Sequence, residues 1–583
     1  MTIAPDDLRC PDDEGSAYRD GVYRPVNDAA LPAAPDAPTH PAPGHGPRFR
    51  TGVEVPRVPR LRHLVGPSVI ALGMGLGAGE FLLWPNLVAV NGFSIWWLFW
   101  VGVMTQFVVI AEIERWTIAT GESVFGGMAR LDQLGFWAWF FVGATLVSFF
   151  WPGWASQSAE FVTSIGRAAT GRSAAWQPVA LVMMAFIWAT LALARVVYNA
   201  LERFELLLVG ILFPTLVLAL VVAGLHASDV VALARGAVSI GSAPPSLLTG
   251  EQFPTLLLAV AYAGSGGTLL LAQSLWLRDK GFGMAAYQGR IAGLRGVNEP
   301  VSDTGYVFDA REPVALARFR TWMRLARREL LFTFVVLILL SVVITTLVVS
   351  ATLGTGDASL AGNLSLMVER QAAALRAAGG RWIEVAFLLG GVLVLFSTQL
   401  AIVDTVTRIA GTVFYERYGR RNRFWTLQRS FFLFLTAFTL ASMAIIWVSW
   451  RGGAGLEQMQ PDFLVLIAGP FTIASMYLFT LVVGTMNVRR LPRELAPGPW
   501  VRAGLAWAGV LWGWFTAEQL SRTLLASVGA PREVIEAIAW HPVRAGCYAL
   551  WLASLAWFVV QLFRARRPPA ESAAAESAVP VAA

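Results

Sequence analysis

Twelve stretches of this chain are almost wholly apolar and each about as long as a bilayer core is thick: 65–89, 94–114, 135–153, 178–195, 204–224, 253–276, 330–352, 382–407, 428–449, 462–486, 499–520 and 543–563. A helix needs about 20 apolar residues to cross the hydrocarbon layer, and a backbone in lipid can satisfy its polar groups only as a helix or a closed barrel. Barrel strands would be short and alternating, so the pattern predicts an all-α polytopic membrane protein of about 12 transmembrane helices. Composition agrees: 56% of the 583 residues are hydrophobic and 14% charged, against about 25% charged in soluble domains. A soluble enzyme is excluded. So is a secreted disulfide scaffold, because Cys10 lies in a polar tail and Cys547 inside the last apolar block.

The net charge of +7 does not imply nucleic acid, because the basic residues sit in loops between apolar blocks and read as topology signals. With the amino terminus inside, the internal loops hold 21 Lys and Arg and the external loops 9, which predicts both termini cytoplasmic in a bacterial-type inner or plasma membrane. Residues 1–62 are rich in proline and open on Asp6, Asp7, Asp12, Asp13 and Glu14. They read as a disordered cytoplasmic tail rather than a signal peptide, and 565–583 as another. The internal loop at 278–328, with Lys280 and nine arginines, reads as a solvated connector touching anionic headgroups.

Glycine placement refines this picture. The first block contains Gly73, Gly75, Gly77 and Gly79, then Glu80 and Trp84-Pro85-Asn86, and the sixth contains Gly264-Ser265-Gly266-Gly267 and Thr268. Each glycine costs a helix about 1 kcal/mol against alanine, so both ladders weaken about a dozen residues in. These are corresponding positions if blocks 1–5 and 6–10 are two copies of one unit. Glycines also serve close helix packing, but packing does not predict matched positions. The expected organisation is a first five-helix repeat at 63–225, an external loop at 226–252, a second, inverted repeat at 253–492, and two additional helices at 493–564, with helices 1 and 6 broken. Broken helices at mid-membrane are tolerated where they line a cavity, and their freed ends bind substrate or ion.

Several further motifs carry a resemblance. Gly66-Pro67 before the first glycine cluster, Gly92-Phe93-Ser94-Ile95-Trp96-Trp97, Ile118-Ala119-Thr120-Gly121, Leu201-Glu202, Ala410-Gly411, Pro470-Phe471 and Asn487-Val488-Arg489-Arg490 together resemble the Nramp (natural resistance-associated macrophage protein-like) metal-ion transporters over roughly residues 60–492. The resemblance implies a leucine-transporter-type inverted-repeat fold and a secondary-active transporter. It also implies departures from the family. The family's first-helix motif Asp-Pro-Gly-Asn falls on Gly77-Ala78-Gly79-Glu80, its sixth-helix ligands fall near Ser265 and Thr268, and its Pro-His pair falls on Leu269-Leu270. The acidic pair of its third helix falls near Pro152 and Ala155, with Glu160 the nearest acid.

The candidate substrate site is therefore Gly77, Ala78, Gly79 and Glu80 with Ser265, Gly266, Gly267 and Thr268. It offers one carboxylate, two hydroxyls and backbone carbonyls, and Glu80 is the candidate metal ligand. Hard oxygen ligands suit Mg or Mn rather than softer metals, so the expected cargo is a hard divalent cation, with weak or no proton coupling. A non-metal solute, a monovalent ion and a binding-only sensor are the alternatives. A carboxylate in the first turn of a restarted helix is also stabilised by the helix dipole, by about 0.3–1 kcal/mol, so Glu80 could serve as a cap. Asp404 and Arg408, four apart on one helix face, form either an internal ion pair or part of an inner pathway. Glu160 is either a relay acid or an outer-interface residue, and Glu112 and Glu114 are expected to snorkel to the interface. Intramembrane acids are functional candidates by default. The histidines sit in the tail or at span ends and add no metal ligand. No phosphate loop, zinc helix or nucleophile elbow occurs, so neither an enzyme nor a cofactor is expected. The partners implied are the transported ion or small solute and the lipid bilayer.

Overall fold

The computed structural model describes residues 5–8, 28–59, 66–194, 197–244, 247, 252–289, 291, 302–452, 459–536 and 540–564. They fold almost entirely into helices, and the only strand-like pairing among them is two isolated bridges. Eight helical runs among the described residues are long and apolar enough to cross a membrane. Large apolar side chains on the outer helices are left exposed, among them Val217, Val221, Leu550, Leu552 and Trp557. Such continuous apolar faces have no place in water. The chain is a polytopic, all-helical integral membrane protein.

Every apolar block forms helix. The first runs from Pro67–Ala78 through a π turn, Gly79–Leu83, into Trp84–Asn91. The second is Trp96–Thr120. The third is Phe136–Phe149, resumed after Pro152 as Gly153–Thr170, and the fourth and fifth are Gln177–Leu193 and Val197–Ala223. The sixth is split into Phe253–Ala261, a 3-10 turn Gly267–Ala272, and Gln273–Lys280. Pro313–Glu329 leads through a π segment into the seventh, Leu337–Leu353. The eighth to twelfth are Arg381–Arg417, Leu427–Arg451, Gly469–Arg490, Pro499–Ser527 and Pro542–Phe563. Proline opens the first turn of many of these helices, where its missing N–H breaks no ladder bond.

The eighth helix is the central post: 78% of its most apolar stretch is buried, against 17% for the twelfth. It packs on the first, third, fifth and ninth helices. The first and sixth, the interrupted pair, are buried along most of their described length.

Two expectations change. Residues 28–59, expected to belong to a disordered tail, are seated on the protein: Phe49, Val55 and Val58 are buried. The Arg130 guanidinium sits 4.0 Å from the Phe49 ring centre and donates to the Pro43 and Pro47 carbonyls at 2.8 and 2.7 Å. Prolines that cannot join a helix can still offer carbonyls to arginine, and three aromatic or branched side chains supply an apolar anchor. The loop at 278–328 is likewise more than a solvated connector. Its Pro313–Glu329 helix is strongly two-faced, with Phe319, Trp322 and Ala326 buried, and Trp322 donates to the Pro56 carbonyl at 2.8 Å.

Candidate functional site

The two glycine clusters meet. At Gly79 the first helix widens from α to π, a form that tends to mark functional positions. An added Cβ on Gly79 would fall 2.0 Å from the Tyr262 carbonyl oxygen, so only glycine admits this contact. Tyr262 is where the sixth helix stops. Beyond it Gly266 and Gly267 take φ of +67° and +57°, a region open to glycine at little cost and to other residues at about 1–2 kcal/mol. The first interruption is thus a π turn and the second a true break.

Unwinding the sixth helix frees carbonyls that must find partners. Trp84 Nε1 donates to the Ala259 carbonyl at 3.1 Å, and Gln106 Nε2 donates to the Ala261 carbonyl at 2.8 Å. The first and second helices thereby satisfy the backbone of the sixth. The side chains at the junction are left unsatisfied. Glu80, Ser265 and Thr268 are at most 1% exposed, and both Glu80 carboxylate oxygens, Ser265 Oγ and Thr268 Oγ1 accept or donate no hydrogen bond with another residue. Native proteins pair the great majority of buried polar atoms, and these atoms at the junction of the two interruptions are among those that find no partner. Aromatic rings border the junction: Tyr262 lies 5.7 Å from Trp154 and 6.5 Å from Phe149, and Phe81 lies 5.3 Å from Phe387 between ring centres.

The predicted residues fall into three places. Gly79 and Glu80 lie in the π turn of the first helix, Ser265, Gly266, Gly267 and Thr268 lie in or beside the break of the sixth, and Gly77 and Ala78 close the helix that leads into the π turn. Asp404 is elsewhere. It binds Arg408 at 2.9 Å and accepts from Trp276 Nε1 at 3.3 Å, while Arg408 also pairs with Asp279. All three charged groups are buried, and they latch the eighth helix to the Gln273–Lys280 half of the sixth. Glu160 is in a third place, toward the Asn91 end of the first helix. Ser365 Oγ reaches it at 2.7 Å and reaches Asp462 at 2.9 Å, and Gln157 donates to the same Asp462.

Glu112 and Glu114 do not snorkel. Both are buried: Glu112 holds Arg115 at 2.8 Å and accepts from Asn487 Nδ2 at 3.1 Å, and Glu114 accepts from Gln273 Nε2 at 2.9 Å. Arg115 is a local partner, but Asn487 and Gln273 come from helices remote in sequence, and nothing local marked those contacts. Glu329, one residue before the seventh apolar block, is buried as well. It accepts from the Gly66 and Ser68 backbone N–H groups at 3.3 Å each, and from Ser68 Oγ. The sequence reading also passed over Glu205. It is an acid near the start of the fifth apolar block, fully buried, and the signal that singled out Glu80 applied equally to it. Among the described residues no group of three or more His, Cys, Asp or Glu side chains could hold a metal ion.

No family model matches the sequence, and no curated protein matches it. Solved structures do. Two variants of a manganese transporter from Eremococcus coleocola each superpose with a TM-score of 0.58 at 10% sequence identity, over 88% of this chain and 98% of theirs. The same transporter in complex with an aromatic bis-isothiourea substituted compound superposes with a TM-score of 0.55 over the same shares. At this identity the likeness shows a shared fold.

Proposed function

We propose that this protein is a secondary-active transporter, Nramp-like in architecture, whose cargo binds between the π turn of the first helix and the break of the sixth. One observation carries the reading: the buried, unpartnered oxygens of Glu80, Ser265 and Thr268 at that junction. A buried carboxylate without a counter-charge is costly, and cargo that brings positive charge relieves the cost. The oxygen-only set and single formal charge favour a hard divalent cation of the Mg or Mn class that keeps part of its water. With glycine and leucine at positions 77 and 270, proton coupling through those positions is absent.

The polar clusters above and below the junction supply the two gates such a carrier requires. Toward the Gly66 end, Glu329, Ser68, Gln273 and Glu114 link the first, second, sixth and seventh helices. Toward the Asn91 end, Glu160, Ser365 and Asp462 link the third helix with the helix Leu364–Gly379 and the short helix Pro461–Leu466. Each can open by exchanging its hydrogen bonds for water. A second reading, an organic cation or small solute on the same site, is favoured by the Trp154, Tyr262 and Phe149 rings at its edge. The basic loops place both termini in the cytoplasm on this proposal. Uptake of Mn²⁺ or Mg²⁺ into vesicles containing the purified protein tests the reading. Accumulation above protein-free vesicles, lost in Glu80→Gln, is expected. No accumulation of either ion would discard the divalent reading.

A further inference from the structure

Three apolar blocks have a boundary at one open cleft of about 580 Å³. Arg115 follows directly on the second block, Leu331 stands at the start of the seventh, and Trp500 is in the first turn of the eleventh helix. The cleft therefore lies at the depth where hydrocarbon gives way to headgroups. Its remaining wall is one face of the helix Pro313–Glu329, whose opposite face is buried through Trp322 and Ala326. Arg320, Arg324, Arg327 and Arg328 line the cleft. At spacings of three and four residues they share one side of the helix, which rises about 12 Å from 320 to 328.

The arginines outnumber the acids that could neutralise them. Arg115 and Arg327 draw on one carboxylate, Glu112, at 2.8 and 3.8 Å. Arg320, Arg324 and Arg328 are exposed and have neither an ion pair nor a hydrogen bond among the described residues. The only acid among the described residues of the lining is Glu494, so positive charge is in surplus. The rest of the lining is apolar and includes Phe107, Met323, Leu331 and Trp500. Trp500 is 88% exposed, a position that suits an indole at the headgroup level. The apolar track continues beyond the cleft. Met104, one turn from Phe107, and Trp507, two turns from Trp500, are exposed, and Trp507 Nε1 donates to Thr105 Oγ1 at 3.0 Å, tying the eleventh helix to the second.

We propose that this cleft binds an anionic glycerophospholipid, its phosphodiester held by Arg320, Arg324 and Arg328 and an acyl chain laid along Phe107, Leu331 and Trp500. Guanidinium groups match phosphate oxygens through paired hydrogen bonds, and basic pockets at the ends of transmembrane helices suit acidic headgroups. A free phosphate would use the arginines and leave the tryptophan and the apolar track uncovered. A zwitterionic lipid would bring a further cation to a surface already short of anions. The site needs the bilayer and not the transport reading, since lipid binding is measurable without transport.

Native mass spectrometry of the purified full-length protein, relipidated with equal amounts of phosphatidylglycerol and phosphatidylcholine, tests the site. The wild type should retain phosphatidylglycerol in preference, and that lipid should raise Tm by several degrees over phosphatidylcholine at equal ionic strength. Each arginine near an acidic headgroup is worth about a factor of five in affinity, so replacing Arg320, Arg324 and Arg328 together by Gln should weaken retention about a hundredfold. All three are exposed, so this variant should keep the fold. Glu494→Gln removes the opposing charge and should tighten retention severalfold, and Trp500→Ser should weaken it severalfold. The same loss of charge at other exposed arginines, Arg203, Arg421 and Arg423, should leave retention unchanged. Undiminished retention in the first triple variant, or an equal loss in the second, would overturn the proposal, the latter by reducing the effect to diffuse surface attraction. Inorganic phosphate that raises Tm as much as phosphatidylglycerol, with no lipid preference, would assign the arginines to a free anion and overturn the lipid site as well.

Discussion

At the scale of single residues the informative features are oxygens without partners and glycines without room. Glu80 is the sharpest test. Gln keeps its shape and removes a charge worth about 4 kcal/mol to a unit counter-charge at 4 Å and effective dielectric 20, before desolvation. If a quarter of that survives, the substitution weakens cation binding about fivefold. Calorimetric titration of wild type and Glu80→Gln with Mn²⁺ reads the difference, and equal affinities would leave Glu80 a structural cap. Gly79 makes a complementary prediction. Gly79→Ala places a methyl group against the Tyr262 carbonyl, a backbone atom that cannot swing aside, so thermal unfolding should show a loss of about 1–3 kcal/mol from overpacking. The same change at Gly143, which has open space around it, should leave stability the same or slightly higher.

At the scale of elements, two weakened ladders with different outcomes explain how the site is built. The first helix keeps hydrogen bonding by widening into a π turn, so its glycines only loosen it. The sixth cannot, because consecutive glycines with positive φ turn the chain out of the helix. Its freed carbonyls depend on neighbours, which predicts that Gln106→Leu leaves the Ala261 carbonyl buried without a donor and costs about 1–3 kcal/mol. Denaturation of the variant measures this, and a neutral outcome would mean that the carbonyl finds another partner. The glycine pattern made both interruptions legible in the sequence. It did not reveal that they differ in kind, because that depends on which side chains face each freed carbonyl.

At the scale of the whole molecule, buried charge is concentrated where helices must hold together or part. Arg408 ties the eighth helix to the Gln273–Lys280 half of the sixth through Asp404 and Asp279. Arg408→Met strands two buried carboxylates and should cost about 3–5 kcal/mol, whereas replacing all three with apolar residues should be far milder. Unfolding of the single and triple variants distinguishes the two. Ion selectivity also belongs to this scale. With no sulfur or imidazole among the residues at the junction, vesicles should take up Mn²⁺ or Mg²⁺ in preference to Cd²⁺. Cadmium uptake that competes with manganese would contradict the hard-ligand reading.

The sequence by itself determined the solvent and the scaffold. Apolar blocks of bilayer length leave a backbone no option but helix, and glycine costs a ladder the same wherever it falls, so twelve helices and two weak points follow from local chemistry alone. The tertiary structure decided which polar groups are spent. Glu112 and Glu114 looked peripheral in sequence, yet partners from distant helices hold them in the interior. The pairing of Asp404 with Arg408 was legible in the sequence, but Asp279, 125 positions away in sequence, was not seen to share that arginine. Glu205 stood unremarked until Gly73 and Ser397 closed around it. Hydrogen-bond satisfaction is a property of neighbours in space, so packing alone separates a carboxylate that holds the fold together from one left free to bind.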